Sequence, residues 1–275
     1  LPRWWGGVTT KDKGGNRLLS DFVPIIFDTP REFEYIELYL LHDIHKGSAQ
    51  HDERKWNEVK REILAQPNRY ALFVGDAMEN ATPGSKSDMF TQTIPPHEQK
   101  EWFTEQLIDL ADRTIGVTDG NHEKNRSTKM AGLYPLYDCC VMAGIKERYR
   151  PHFLVCDIGV GTSAKDPKKQ IRYVGCCIHK AKDLKAYSTA DALDGIDFFV
   201  YGHDHDPKDH PRAKLVYDAK NKKLTTKSVE VINSGAFLTY GGYAADSAYR
   251  PVSDKLFKIV PHGGRKNIKT VGFYV

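Results

Sequence analysis

Five apolar runs in this 275-residue chain end in residues that bind hard or borderline metal ions: Asp43-Ile44-His45, Gly75-Asp76, Gly120-Asn121-His122-Glu123, His179 and Gly202-His203-Asp204-His205. Carboxylate, amide and imidazole donors in that number suffice for two cations. Residues i and i+2 of a strand point the same way, so spacing alone lets Asp43 converge with His45, and His203 with His205. A carboxylate can bridge two cations and an imidazole cannot. Asp76, alone at its strand end, is therefore the expected bridge, and Gly75 lets the backbone come close there. A single histidine is more often a surface or satisfied core residue than a ligand; the ordered set is what points to a metal centre. His42, with its side chain opposite Asp43 in the strand, reads as structural, and His51, His97, His152, His210 and His262 read as surface residues.

Two divalent cations bring about four positive charges; two carboxylates and a bridging hydroxide remove about three, leaving about +1 to attract an anion such as phosphate. Mixed oxygen and nitrogen donors accept several ions; Mn2+ is the first expectation, with Fe, Zn, Ni or Co as alternatives. Arg126, shortly after His122, is a candidate substrate-binding residue that could clamp a phosphate.

Strands must present these residues. Ile36, Leu38 and Leu40 alternate with Tyr35, Glu37 and Tyr39 over Phe33 to His42, which predicts a strand ending at Asp43. Trp56, Val59, Ile63 and Leu64 recur at helical spacing between Asp52 and Gln66. A short strand from Tyr70 to Val74 delivers Gly75-Asp76, a helix is predicted from about His97 to Asp112, and Thr114 to Thr118 leads into Gly120. Residues 127 to 148 read as helix in pieces broken near Pro135. From Pro151 the pattern turns to strands at Phe153 to Ile158, Ile171 to Cys177 and Asp197 to Tyr201, so a second sheet is expected. Two sheets facing each other with helices outside are the predicted result.

With 40% hydrophobic and 28% charged residues the chain can bury a sizeable core as one domain over 1–275. Within it, 1–30 is expected to form an N-terminal arm in which Pro24 argues against a central strand. Residues 206–232 should form a basic hairpin, and 251–275 a C-terminal extension that could add edge strands. No apolar stretch approaches the roughly 20 residues of a membrane helix. Leu1 to Gly7 lack a secretion-signal pattern, and five cysteines without a Cys-x-x-Cys pair suit reduced core thiols, so a cytoplasmic location is expected. A net charge of +4 is a mild bias toward anionic partners.

The five clusters, in order from residue 43 to residue 205, resemble the motifs of the calcineurin-like metallophosphoesterase superfamily. The resemblance implies an α/β (α+β) four-layer sandwich, in which two facing mixed β-sheets are flanked by helices. It also implies one metal held by Asp43, His45, Asp76 and His205 and a second by Asp76, Asn121, His179 and His203, with Asp76 bridging. His122 would lie beside the metals and assist the transition state or the leaving group, oriented by Glu123 or another carboxylate. Asn233-Ser234-Gly235 resembles a segment that often follows the last motif. Protein Ser/Thr phosphatases follow Gly-Asp with Asp-Arg-Gly where this chain has Glu79-Asn80-Ala81, so a phosphoprotein substrate is not expected. The ending Gly-His-x-His is more like the phosphodiesterase and repair-nuclease branches.

The function so implied is hydrolysis of a phosphodiester, or of a phosphomonoester, by in-line attack of a metal-bridging hydroxide. One alternative is a nuclease acting on DNA or RNA ends, for which Arg212, Lys214, Lys220, Lys222, Lys223 and Lys227 could track a phosphate backbone, although a solvated hairpin is the more usual explanation. A nucleotide or nucleic-acid substrate is thus in view, and a membrane partner is not. The other alternative is a non-catalytic scaffold with the same fold, disfavoured because no ligand of the set is missing.

Overall fold

Alternation from Phe33 to His42 predicts Tyr39 on the solvent side, yet Tyr39 is fully buried, as are Leu38 and Leu40. The cause is layering. The computed structural model describes residues 23–85, 88–179 and 181–275, and in it strand β2 (Glu37–Leu41) lies inside a sheet covered on both faces.

That sheet also holds β3 (Arg69–Val74), β4 (Thr114–Thr118) and the short β5 (Tyr149–Arg150), all parallel to β2. Its outer face is covered by α1 (Glu53–Ala65), α2 (Pro96–Asp109) and α5 (Pro135–Met142). Helix α1 starts where the Asp52 side chain accepts from Lys55 N at 2.9 Å, and it buries Trp56, Val59 and Ile63 against the sheet. Helix α2 starts with Pro96 in its first turn, where a missing N–H costs nothing. Between β4 and α5 a helical turn, α3 (Asn121–Glu123), runs through a π-type turn (Lys124–Thr128) into α4 (Lys129–Ala131), which stops at Gly132.

The second sheet is ordered β1 (Ile25–Asp28), β6 (Phe153–Val160), β7 (Ile171–Ile178), β8 (Phe198–Tyr201), β11 (Lys223–Asn233), β10 (Arg212–Asp218), with β9 (Lys208–Asp209) paired to β11. It mixes parallel and antiparallel pairs, and α6 (Asp183–Ala192) covers its outside. Leu38, Leu72, Val74, Leu154, Ile158, Phe198 and Val200 fill the space between the sheets. Helices, sheet, sheet, helix are thus the four layers expected.

Some expectations change. The arm is not merely packed on the domain: β1 pairs with β6 as an edge strand directly after Pro24, a position that tolerates proline. Residues 1–22 lie outside the described residues. In the C-terminal extension β12 (Leu256–Pro261) is no edge, because it sits between β2 and β13 (Ile268–Phe273), which is one. The hairpin forms as β10 and β11, with Arg212 paired to Asp191 at 2.7 Å and Lys214 Nζ donating to the carbonyls of Ala190, Asp191 and Leu193. Two of its six basic residues are therefore engaged with the α6 end, and Lys220, Lys222, Lys223 and Lys227 are exposed.

The layout positions the five clusters together. They follow the carboxyl ends of β2, β3 and β4 in one sheet and of β7 and β8 in the other, and these strands run parallel within their sheets. Carboxyl ends of parallel strands are where such sheets bind ligands.

Candidate metal centre

Beyond β2 the chain leaves strand geometry but keeps pairing with the segment after β3. Asp43 N donates to Gly75 O, His45 N to Asp76 O and Lys46 N to Ala77 O, at 3.0 to 3.1 Å. Asp43, His45 and Asp76 have φ of 53°, 52° and 49°, and His203 and His205 have 107° and 58°. Left-handed backbone at a non-glycine residue costs on the order of 1–3 kcal/mol and collects at functional sites. Asp43 and His45 do meet, but through these turns rather than through the alternation of a strand, whereas His203 packs on His179 and His205 on His45.

Glycine makes the approach feasible. A Cβ at Gly75, where φ is +80°, would stand 2.5 Å from Gly120 Cα and 2.8 Å from His179 Cγ. One at Gly120 would overlap the backbone N and carboxylate of Asp76. The β3 and β4 loops can therefore touch only through two glycines.

Around Asp43 Oδ1 lie His205 Nε2 at 3.2 Å, His45 Nε2 at 3.4 Å and His179 Nε2 at 3.6 Å. Around Asp76 Oδ2 lie His179 Nε2 at 3.1 Å, His122 Nε2 at 3.7 Å and His45 Nε2 at 3.9 Å. Donor atoms of Asp43, His45 and His205 lie within 4.8 Å of one another, as do those of Asp76, His179 and His203 and those of His45, Asp76 and His122. Among the buried polar atoms of these loops, Asp43 Oδ1, His45 Nδ1, Asp76 Oδ2, Asn121 Oδ1 and His179 Nε2 have no hydrogen-bond partner among the described residues. The imidazole nitrogens near the two carboxylates are close enough for Coulomb attraction but are not aligned as hydrogen bonds. Buried polar atoms left in this state each cost about 1–3 kcal/mol, and a cation in their midst removes that cost. The donor set fits divalent metal.

The charges are mutually held. Burial pushes the Asp43 carboxyl up, but His179 and His205 outweigh it and keep it well below the usual carboxylate range. Asp76 is likewise pushed up by burial and held low by His122 and His179. Burial lowers His203.

Behind the donors stands a ring of supports. His42, buried as expected of a structural residue, places Nδ1 2.7 Å from Asp43 Oδ2, while its Nε2 accepts from Ser234 N at 2.8 Å. The proton is therefore on Nδ1 and is donated to Asp43. His203 N donates to the same Asp43 Oδ2 at 2.9 Å. His179 Nδ1 meets Val74 O at 2.7 Å, which turns Nε2 inward. Asp204, between the two terminal histidines, is bonded by Asn233 Nδ2, and Lys208 Nζ lies 3.2 Å from it. His51 is not a surface residue: its Nδ1 is 2.8 Å from Ile44 O and its ring packs on Trp102.

Sequence adjacency misleads at Glu123. Its carboxylate accepts from the backbone N–H groups of Gly120 at 2.9 Å, Asp76 at 3.1 Å and Met78 at 3.2 Å. Successive residues of a helical turn point about 100° apart, so Glu123 turns inward under the β3 loop instead of toward the His122 ring. The carboxylate beside His122 is that of Glu79, whose Oε2 lies 3.6 Å from His122 Nδ1 and 3.2 Å from His45 Nδ1. Glu123 is thus a positioning residue. Glu123→Ala should strand these buried N–H groups and destabilise the protein by about 3 kcal/mol or more, read as a fall in urea midpoint with unchanged slope. A wild-type midpoint would show that the loop does not need it.

Arg126 reaches the site. Nη1 donates to Glu79 Oε1 at 3.0 Å and to the Glu79 carbonyl, and Nη2 lies 3.2 Å from His122 Nε2. A guanidinium can only donate, so His122 Nε2 accepts and its proton is on Nδ1, which donates to Glu79 O at 2.9 Å. Burial, opposed by Asp76, lowers His122 to about 4 and leaves the ring neutral near pH 7.

Solved structures resemble this chain. A conserved uncharacterized protein, a predicted phosphoesterase from Streptococcus pneumoniae TIGR4, is similar at 12% identity and a TM-score of 0.32, over 87% of this chain and 98% of that one. Wild-type Vps29 complexed with Zn2+, from Entamoeba histolytica, is similar at 13% identity and a TM-score of 0.41, over 86% of this chain and 99% of that one. A metallophosphoesterase from Sphaerobacter thermophilus is similar at 13% identity and a TM-score of 0.35, over 84% and 90% of the two chains. No protein-family model matches, and no curated protein does. At such identities the roles of these side chains have to follow from their own geometry. No helix among the described residues is long and apolar enough to cross a membrane.

Proposed function

We propose that the chain is a metal-dependent phosphoesterase of the calcineurin-like metallophosphoesterase superfamily, holding two divalent cations where the loops of the two sheets meet. The observation that supports it most is the convergence of the unpartnered buried atoms Asp43 Oδ1, Asp76 Oδ2 and His179 Nε2. Asp43, His45, Asp76 and His205 would hold one ion and Asp76, Asn121, His179 and His203 the other. Bound there, the ions supply Lewis acidity toward phosphoryl oxygens and toward water. Asp76, the carboxylate that belongs to two of the three donor groups, would serve both ions in this reading. His122, on the Asp76 side, would lie beside a bound ester and is steadied through Nδ1 by the Glu79 carbonyl. Mn2+ is the favoured ion on donor type, with Fe, Zn, Ni or Co as substitutes.

The test is reconstitution of metal-free protein with Mn2+, Fe2+, Zn2+, Ni2+, Co2+ or Mg2+, one at a time. Each form is assayed on bis(p-nitrophenyl) phosphate, p-nitrophenyl phosphate, nucleotides and oligonucleotides. Turnover of bis(p-nitrophenyl) phosphate with Mn2+ and binding of two ions per chain are the expected results. No turnover with any ion would leave the scaffold reading in its place. Oligonucleotide cleavage that weakens steeply with salt would instead favour a nuclease using the exposed hairpin lysines.

A further inference from the structure

We propose that Glu79, through its ion pair with Arg126, makes the site select a monoanionic phosphodiester over a dianionic phosphomonoester, an inference that rests on the phosphoesterase reading above. Arg126 is the guanidinium that comes up to His122, and His122 Nε2 is in turn 3.7 Å from Asp76 Oδ2. A phosphate held against Asp76 and His122 would meet Arg126 next. An arginine so placed is the natural partner for the extra charge of a monoester, because its fork can grip two phosphate oxygens.

Here that fork is already engaged. Nη1 is on Glu79 Oε1 and on the Glu79 carbonyl, and both side chains are 10% exposed. The other carboxylate oxygen of Glu79 stands behind the rings of His45 and His122, at 3.2 and 3.6 Å from their Nδ1 atoms. The carboxylate is not free to swing away. The next residue, Asn80, has its backbone N–H on Gln99 Oε1 at 2.7 Å and its side chain on His122 O at 3.2 Å and Ser127 Oγ at 2.8 Å. This wall of the site therefore carries one positive and one negative charge, fixed together and largely out of water.

The consequence is electrostatic. A diester brings about one negative charge and a monoester about 1.5 to 2 near pH 7. The additional charge of the monoester finds no net cation on this wall and lies near a buried carboxylate. A single charge at such range, at an effective dielectric of about 20, changes relative rates by an amount on the order of tenfold.

The experiment compares kcat/KM for bis(p-nitrophenyl) phosphate and p-nitrophenyl phosphate, with the protein loaded by saturating Mn2+. The ratio of the two cancels changes in metal occupancy that affect both esters alike. Wild-type protein should favour the diester. Glu79→Gln frees Arg126 and should raise the monoester-to-diester ratio roughly tenfold. Arg126→Gln leaves the Glu79 charge uncompensated and should lower that ratio, which gives a second reading if the first variant is unstable. The double variant should lie between them. A wild-type preference for the monoester, or a ratio unmoved in both single variants while turnover persists, would overturn the proposal. Failure of wild-type protein to turn over either ester would overturn the phosphoesterase reading, and this inference with it.

Discussion

Asp76→Ala should abolish metal-dependent ester turnover, and the loss should far exceed the roughly 10–100-fold cost of removing a supporting residue. The reason is the position of one oxygen. Asp76 Oδ1 accepts from His122 N at 2.8 Å, which fixes the carboxylate plane and points Oδ2 at His179, His122 and His45. Those rings come from loops after β7, β4 and β2, and the other buried carboxylate, Asp43, faces His205, His45 and His179 instead, so it does not replace Asp76 beside His122. The variant should bind at most one Mn2+ per chain. Its fold should survive, because the backbone contacts that build the loop are made by the Glu123 carboxylate and by main-chain pairing with Asp43 and His45. Far-UV circular dichroism of the metal-free variant, metal analysis after equilibrium dialysis and turnover of bis(p-nitrophenyl) phosphate check these statements together. Two bound ions and wild-type turnover would remove Asp76 from the centre.

The sequence made the donors legible because each closes a strand buried on both faces. Runs such as Leu72-Phe73-Val74 are continuous apolar blocks, and the first polar residue after them marks where the chain leaves the core. Gly75 was legible as a place where the backbone comes close, whereas the matching need at Gly120 appears only when its loop is set against Asp76. Other features depend on tertiary placement. Asp43, His45, His203 and His205 reach the centre through left-handed turns that no alternation predicts. Glu79 sits in a loop with no periodicity, and its position becomes meaningful only when His45 and Arg126 are brought to it from loops after β2 and β4. Strand β12 pairs with β2 across more than 200 residues, so a local pattern could describe it only as an edge candidate. The signal available for Glu79 was its residue type and place: an acid three residues after Asp76.

Mn2+ should bind metal-free protein more tightly as pH rises toward 9, by about tenfold per unit for His179 alone. Burial pushes His179 down, but Asp76 and Asp43 outweigh burial and raise it to about 9. His45 is also pushed down by burial and lifted well above its ordinary value by Asp43 and Glu79. Because His179 Nδ1 faces Val74 O, the titrating proton is on Nε2, the atom turned toward Asp43 and Asp76. A cation must displace that proton to enter. The same shifts set opposite stability trends. A histidine raised in the folded state stabilises metal-free protein fully below its unfolded value of about 6.5, and this contribution is lost as pH climbs through about 9. Asp43 and Asp76, held low, stabilise above about 4 and lose their contribution as pH falls below that. His179, His45, Asp43 and Asp76 together therefore stabilise metal-free protein most between about pH 4 and about pH 6.5, whereas the stabilisation added by Mn2+ should grow with pH because affinity grows. Thermal unfolding of both forms across this range, with titration calorimetry in buffers of different ionisation enthalpy, measures the two trends and the protons released. At least one proton should leave at pH 7; binding with no proton release and a pH-independent affinity would show that the imidazoles face the carboxylates without sharing a metal position.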